Sequence, residues 1–248
     1  MSRISKAAVA AAAIIAAMTI PARADSDRYT VVVTRHLTFR GGKVSIEHRF
    51  GSINIRTHGG NSVEVQATVR ASSAEIGKSI SITTVENASG VSIATHYPET
   101  RHWSNNNGET SYSVDYQIEM PANAPLEIRN RFGNLDIEGL RAHGDITNAM
   151  GTVAFRDSSG TQEIENSFGS VTVSNSGGDT IIRNQNGSVR AEGIKGTLDI
   201  TDRFASVSVS NADRTVKINN SNGAVDRTLP DCPAGPHALN DTAIATPS

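Results

Sequence analysis

The sequence repeats with a period of 18 residues over more than ninety residues, and few folds can accommodate such a period. "NRFGNLDI" starts at Asn130, "NAMGTVAF" at Asn148, "NSFGSVTV" at Asn166, "NQNGSVRA" at Asn184, "DRFASVSV" at Asp202 and "NSNGAVD" at Asn220. With Asn130 as position 1, position 4 holds Gly133, Gly151, Gly169, Gly187 and Gly223, with Ala205 as the exception. Position 6 is always aliphatic, from Leu135 through Val153, Val171, Val189 and Val207 to Val225. Position 8 follows with Ile137, Phe155, Val173, Ala191 and Val209. Position 17 holds Ile146, Ile164, Ile182, Ile200 and Ile218.

Positions 6 and 8, with polar residues between them, show the period of two that turns one face of a strand inward. Position 17 centres a second strand, and Gly160, Gly177, Gly178 and Gly196 mark the bend between the two. A unit of two short strands cannot bury its apolar face alone, but stacked on copies of itself it can. The expected fold is all-β, a β-solenoid of 18-residue coils about 4.8 Å apart, with a less regular β cap region before the repeats. Handedness and the number of sides stay open.

The rows also have a local logic. An Asn at one corner of every coil can pass a side-chain hydrogen bond to the Asn of the next, as in stacked cross-β ladders. Asp202 keeps only the accepting half of that chemistry. Gly at position 4 suits a corner with positive φ, which makes Ala205 a site of strain of about 1 kcal/mol. Removing the Asn166 side chain is expected to cost about 1–3 kcal/mol.

The chain opens with a basic start at Arg3 and Lys6, an apolar run from Ala7 to Ile20, and the small-residue signature Ala22-Arg23-Ala24. The run is too short for a bilayer core of about 30 Å, so 1–24 reads as a signal peptide cleaved after Ala24. No second long apolar run follows, so no transmembrane segment is expected in the mature chain. Its loss takes the 23 basic residues to 20 against 25 acidic ones, a net charge of −5. That balance argues against nucleic acid as a partner. Cys232 is the single cysteine, so no internal disulfide staples the fold. The expected organisation is a cap region with early repeats at 25–129, regular repeats at 130–227 and a flexible tail at 228–248.

Before Asn130 the frame loosens. "HRFGSINI" from His48 is a good copy of the unit, and "NASGVSIA" from Asn87 a weaker one. Tyr29–Thr34, Val63–Arg70, Ile80–Thr84 and Ser111–Met120 read as further strands. The segment from Tyr116, "YQIEMPANAPLEIRNRFGNLDIEGL", with a strand ending at Met120-Pro121, then "LEIRNRFG" and tandem Gly-x-Val-x-Val units, resembles the bacterial "putative adhesin" domain family over about Arg28 to Asp226. That resemblance implies an exported or envelope-associated β-solenoid and a binding role toward an envelope polysaccharide or protein. It brings no catalytic residues and no cofactor.

Candidate chemistry is sparse. At outward position 16, Asp145 and Glu163 are expected to stack one coil apart, near the carboxylate spacing of about 5 Å in retaining glycosidases. They could equally share a calcium ion, or form part of a solvated face. His102 and Trp103 lie in the polar stretch "PETRHWSNNNGETS", where they can contact a ligand or fold back on the core. The seven histidines show no zinc spacing, and no nucleophile elbow or phosphate loop occurs. Two functions follow. One is a non-enzymatic, adhesin-like binding or scaffold element of the cell envelope, periplasmic or at the surface. The other is a carbohydrate-active enzyme, a polysaccharide hydrolase or lyase, using an outward face of the solenoid.

Overall fold

A computed structural model describes residues 29–98, 111–228 and the backbone of 242–245. The proposed leader, the His102–Trp103 stretch and Cys232 lie outside these residues. In chain order the first half contains β1 (Tyr29–Thr38), β2 (Lys43–Glu47), β3 (Ile53–His58), β4 (Ser62–Ala71), a short helix α1 (Ala74–Ser79), β5 (Ser81–Asn87), β6 (Gly90–His96) and β7 (Tyr112–Pro121). The repeats supply paired strands. These are β8 (Leu126–Phe132) with β9 (Leu135–Glu138), β10 (Gly144–Met150) with β11 (Val153–Ser158), and β12 (Gln162–Phe168) with β13 (Val171–Ser176). They continue with β14 (Thr180–Asn186) and β15 (Val189–Ile194), β16 (Leu198–Asp202) and β17 (Val207–Ala212), β18 (Val216–Asn220) and β19 (Val225–Thr228), and then β20 (Thr242–Ala245).

The coils have two sides. One sheet runs β1-β4-β7-β3-β9-β11-β13-β15-β17-β19 and the other β20-β18-β16-β14-β12-β10-β8-β2-β6-β5. Within the repeats every pairing is parallel and joins identical positions: Val153 to Val171, Val171 to Val189, Val189 to Val207. The protein is a β-solenoid of 18-residue coils. Its core is the seam between the sheets, where Val153, Phe155, Ile164, Val171 and Ile182 are at most 1% exposed. Outward side chains on the two sheets are mostly polar. Across three coils Arg56 and Arg156 clasp Asp136, at 3.3 and 2.6 Å.

The N-terminal half does not stack in chain order. The β2–β3 coil sits between the β6–β7 coil on one side and β8–β9 on the other. The chain lays down its second coil first, then adds an outer coil, then crosses to extend the stack. Antiparallel strands close the outer end: β4 and β1 beyond β7, and β5 beyond β6. Antiparallel additions reverse the template that a next parallel coil would need, which blunts an otherwise open edge. Helix α1, whose Ser73 cap accepts from the Ile76 N–H at 3.3 Å, packs on β4 and β1.

Three local expectations need correction. "NASGVSIA" is not a copy of the position 4–8 strand. Its Gly90–Ala94 pairs with Lys43–Glu47 in the other sheet, which puts Val91 and Ile93 at positions 15 and 17. Glycine followed by alternating apolar residues suits either strand, and pairing alone distinguishes them. The position-1 Asn residues lie within strands just before the bend; Asn148, for example, is inside β10. The third correction concerns position 4. Gly133, Gly151, Gly169 and Gly187 have φ between 128° and 142°, but neither Gly223 nor Ala205 has positive φ. Ala205 therefore carries no such strain.

The reason is visible at Asp202. The Asn row forms a directional ladder: Asn130 Nδ2 donates to Asn148 Oδ1 (3.0 Å), Asn148 to Asn166 (3.1 Å), Asn166 to Asn184 (3.3 Å) and Asn184 to Asp202 (3.1 Å). Each Asn amide of these rungs also donates to the carbonyl of the Gly three residues on. A carboxylate cannot. At Asp202 the turn is rebuilt so that the Ala205 N–H donates to Oδ2 at 3.1 Å. The ladder ends there, the buried Oδ1 of Asn220 has no partner, and burial raises the Asp202 pKa.

At the other end of the row stands His48, 2% exposed, in register with Asn130. Its Nδ1 lies 3.1 Å from Thr95 Oγ1 and 3.3 Å from the Tyr97 hydroxyl, and Thr95 Oγ1 is 2.6 Å from the Tyr116 hydroxyl. Burial lowers the His48 pKa from 6.5 to about 4 and pushes that of Tyr116 up to about 12. Between those two histidine values the unfolded chain binds a proton that the folded chain refuses. Stability should therefore be flat above pH 6.5 and fall by about 2–3 kcal/mol as pH drops toward 4. Urea melts across that range should show this slope, and His48→Asn should flatten it; an unchanged slope would remove His48 as the cause.

Candidate functional site

Asp145 and Glu163 are direct strand partners on adjacent coils, and Glu127 precedes them in the same outward row. Glu127 is engaged by Lys43 and Arg129, which hold its carboxyl below the usual range. The row continues with Ile181 and Asp199, and Lys217 reaches Asp199 at 3.4 Å. The face is an outward sheet surface, and neither carboxylate lines the groove around Arg141 and Lys195 or the one around Arg183 and Arg203. Among the described residues no cluster of three potential metal ligands occurs.

The second bend, between positions 9 and 13, is differently shaped. Position 10 is held in the left-handed region on successive coils: Gly139 (φ 84°), Asp157 (52°), Asn175 (55°), Gly193 (68°) and Asn211 (53°). Asn and Asp are the side chains that enter this region most readily, because their short polar groups bond locally. Here Asn175 Nδ2 donates to Asp157 Oδ1 at 2.9 Å, a rung along the outside of the coil. This row is present in the sequence as Gly, Asp, Asn, Gly, Asn at 18-residue spacing, a signal of the second bend that the apolar periodicity does not carry.

The left-handed residues lift one wall of a groove that follows the solenoid axis. The opposite wall is position 12, with Arg141, Ser159, Lys195 and Asp213, and the floor includes the buried Ser158 and Ser176. The groove has a volume of about 530 Å³. Its floor is rigid: Ser158 Oγ donates to Ser176 Oγ at 3.3 Å and Thr180 Oγ1 to the same oxygen at 3.1 Å. The backbone N–H of Gly177 and Lys195 are tied to the preceding coil at 2.7 and 2.8 Å. Arg141 and Lys195 make no ion pair among the described residues, so their donors face solvent across the groove from Asp157 and Asn175. Cations, carboxylates, amides and hydroxyls on one fixed frame suit a hydroxyl-rich ligand lying along the axis.

No helix of the described residues is long and apolar enough to cross a membrane. No protein-family model matches the chain, and neither does any curated protein sequence. Among solved structures it is similar to a "putative adhesin" from Bacteroides fragilis NCTC 9343, at 10% identity over 80% of this chain and 96% of that one, with a TM-score of 0.48. It is also similar to a "putative cell adhesion protein" from Clostridium sporogenes ATCC 15579 (11%, 82% and 100%, 0.33). A "putative adhesin" from Parabacteroides merdae ATCC 43184 gives 9%, 80% and 92%, and 0.27.

Proposed function

We propose that the protein is a non-enzymatic, exported, adhesin-like solenoid that serves as a binding element in the bacterial cell envelope. The ligand is a polysaccharide held along the second bend. The groove between positions 10 and 12 carries this reading. It is a concave, polar, backbone-fixed feature that spans several coils, so successive rungs offer donors and acceptors to successive segments of an extended polymer. Pre-organised groups lose little freedom on binding, and such sites gain affinity from that rather than from area. The apolar leader supports an envelope or extracellular location.

A polysaccharide array probed with the purified protein tests this directly. Arg141→Ala with Lys195→Ala should weaken the signal by at least about tenfold, because hydrogen bonds from charged donors each contribute about 1.5–3 kcal/mol. The melting temperature should stay unchanged. An array on which the unaltered protein binds nothing, or on which the double variant binds equally well, would sink the groove as the site. The polysaccharide-cleaving alternative rests on the adjacency of Asp145 and Glu163. It requires reducing ends to be released by the native protein and lost in Asp145→Asn with Glu163→Gln.

A further inference from the structure

The first bend, on the opposite edge of the solenoid, carries an apolar ridge. Position 3 projects outward there. Phe50 and Phe132 stack with ring centroids 5.2 Å apart and planes 3° from parallel. Met150 and Phe168 follow as strand partners, and Phe204 lies beyond Asn186. Met150, Phe168 and Phe204 are 46%, 52% and 57% exposed, more than any other large apolar side chain among the described residues. At about 4.8 Å per coil the row from Phe50 to Phe204 extends about 24 Å. A line of exposed apolar groups of that length calls for a surface to cover it.

The charge around the ridge narrows what that surface is. From the coil of Phe50 to the coil of Phe204, positions 2, 4 and 5 contain Arg49, Arg131 and Arg203 and not one Asp or Glu. The whole chain is net negative, at −2, so this edge concentrates positive charge against the overall trend. None of the three arginines forms an ion pair among the described residues. The Arg49 and Arg131 guanidiniums lie 5.7 and 5.8 Å from the Phe50 and Phe132 ring centres, so cation and ring are presented together. Glu165 lines a groove together with Arg203, yet positive charge prevails along the edge, and aromatic rings flanked by arginines match the boundary between headgroups and acyl chains of an anionic bilayer.

We infer that the position-3 ridge docks the solenoid on an anionic lipid surface, with Met150, Phe168 and Phe204 entering the interface and Arg131 and Arg203 pairing with lipid phosphates. The ridge shares no residue with the groove, so this inference stands or falls apart from the polysaccharide reading. It would place the coil axis parallel to the membrane and leave the groove facing away from it.

Vesicle flotation tests it, using the chain from Asp25 so that the leader's apolar run does not itself bind lipid. The protein should float with phosphatidylcholine–phosphatidylglycerol vesicles, more weakly at high salt, and not with phosphatidylcholine alone. Phe168→Ser with Phe204→Ser should reduce binding by at least about tenfold. Arg131→Gln with Arg203→Gln should abolish the preference for anionic vesicles and its salt dependence. Thr172→Ala, on a distant outward face, should behave as the parent. Failure to float, or undiminished flotation of the Phe variant, overturns the inference. So does a dimer in sedimentation velocity that dissociates in the Phe variant, since the ridge would then cover a second copy of the chain.

Discussion

Gly169→Ala is expected to destabilise the protein by more than about 4 kcal/mol, or to prevent it from folding, because two independent penalties coincide. Gly169 sits at φ 128°, where a side chain is strained whatever the space around it. A Cβ there would also overlap the carbonyl group of Gly151 on the neighbouring coil. That carbonyl cannot swing aside cheaply, since it belongs to the bend and accepts from Asn148 Nδ2 at 3.4 Å. Gly169 is itself fixed by its N–H, which donates to the Asn186 carbonyl at 2.7 Å. Neither coil can yield without breaking the ladder. Gly59→Ala is the control: nothing lies within 4 Å of its Cβ position, and its change should stay within about 0.5 kcal/mol. Urea titrations followed by circular dichroism should separate the two. Similar, small losses at both would mean that the bends are not in contact.

Asn166→Ala should cost about 3–5 kcal/mol, more than the hydrogen bonds to neighbouring Asn residues alone imply. Asn166 is 1% exposed and its amide serves three partners. It accepts from Asn148 at 3.1 Å, donates to the Gly169 carbonyl at 2.8 Å and donates to Asn184 at 3.3 Å. Truncation leaves the Gly169 carbonyl and the Asn184 side-chain oxygen without that donor, at about 1–3 kcal/mol per buried group. Asn166→Asp should be no better. The native Asp202 is accommodated because the Ala205 N–H turns to meet it, whereas the Gly169 N–H is already committed to Asn186. Thr172→Ala, on the outward face, should change stability by no more than about 0.5 kcal/mol. If Asn166→Ala and Thr172→Ala unfold at the same urea concentration, the buried ladder is not a source of stability.

Much of the regular half was legible because a solenoid turns sequence period directly into spatial contact. Position 6 touches position 6 on the next coil, so Val153, Val171 and Val189 announce their pairing by spacing alone. The strands β1, β4, β5 and β7 were also readable as strands, since local alternation and flanking breakers suffice for that. Their partners were not. Antiparallel pairing of β4 with β1 and β7 depends on contacts far apart in the chain, and nothing in a single strand's pattern encodes them.

The candidate surfaces divide the same way. The row of Gly, Asp and Asn at position 10 was written in the sequence, but its meaning as one wall of a groove depends on where position 12 lands after the bend. Asp145 and Glu163 were correctly adjacent by period, yet adjacency on an outward sheet surface does not make a pocket. The repeat could establish which residues stack, because stacking is a matter of equal spacing along one axis. The order of the first two coils, the reversal that seats β6 beside β2, and the concavity of the second bend arise from how separate segments meet in space. A periodic pattern reads the same from either end of a coil, so it cannot say on which face the next coil is laid.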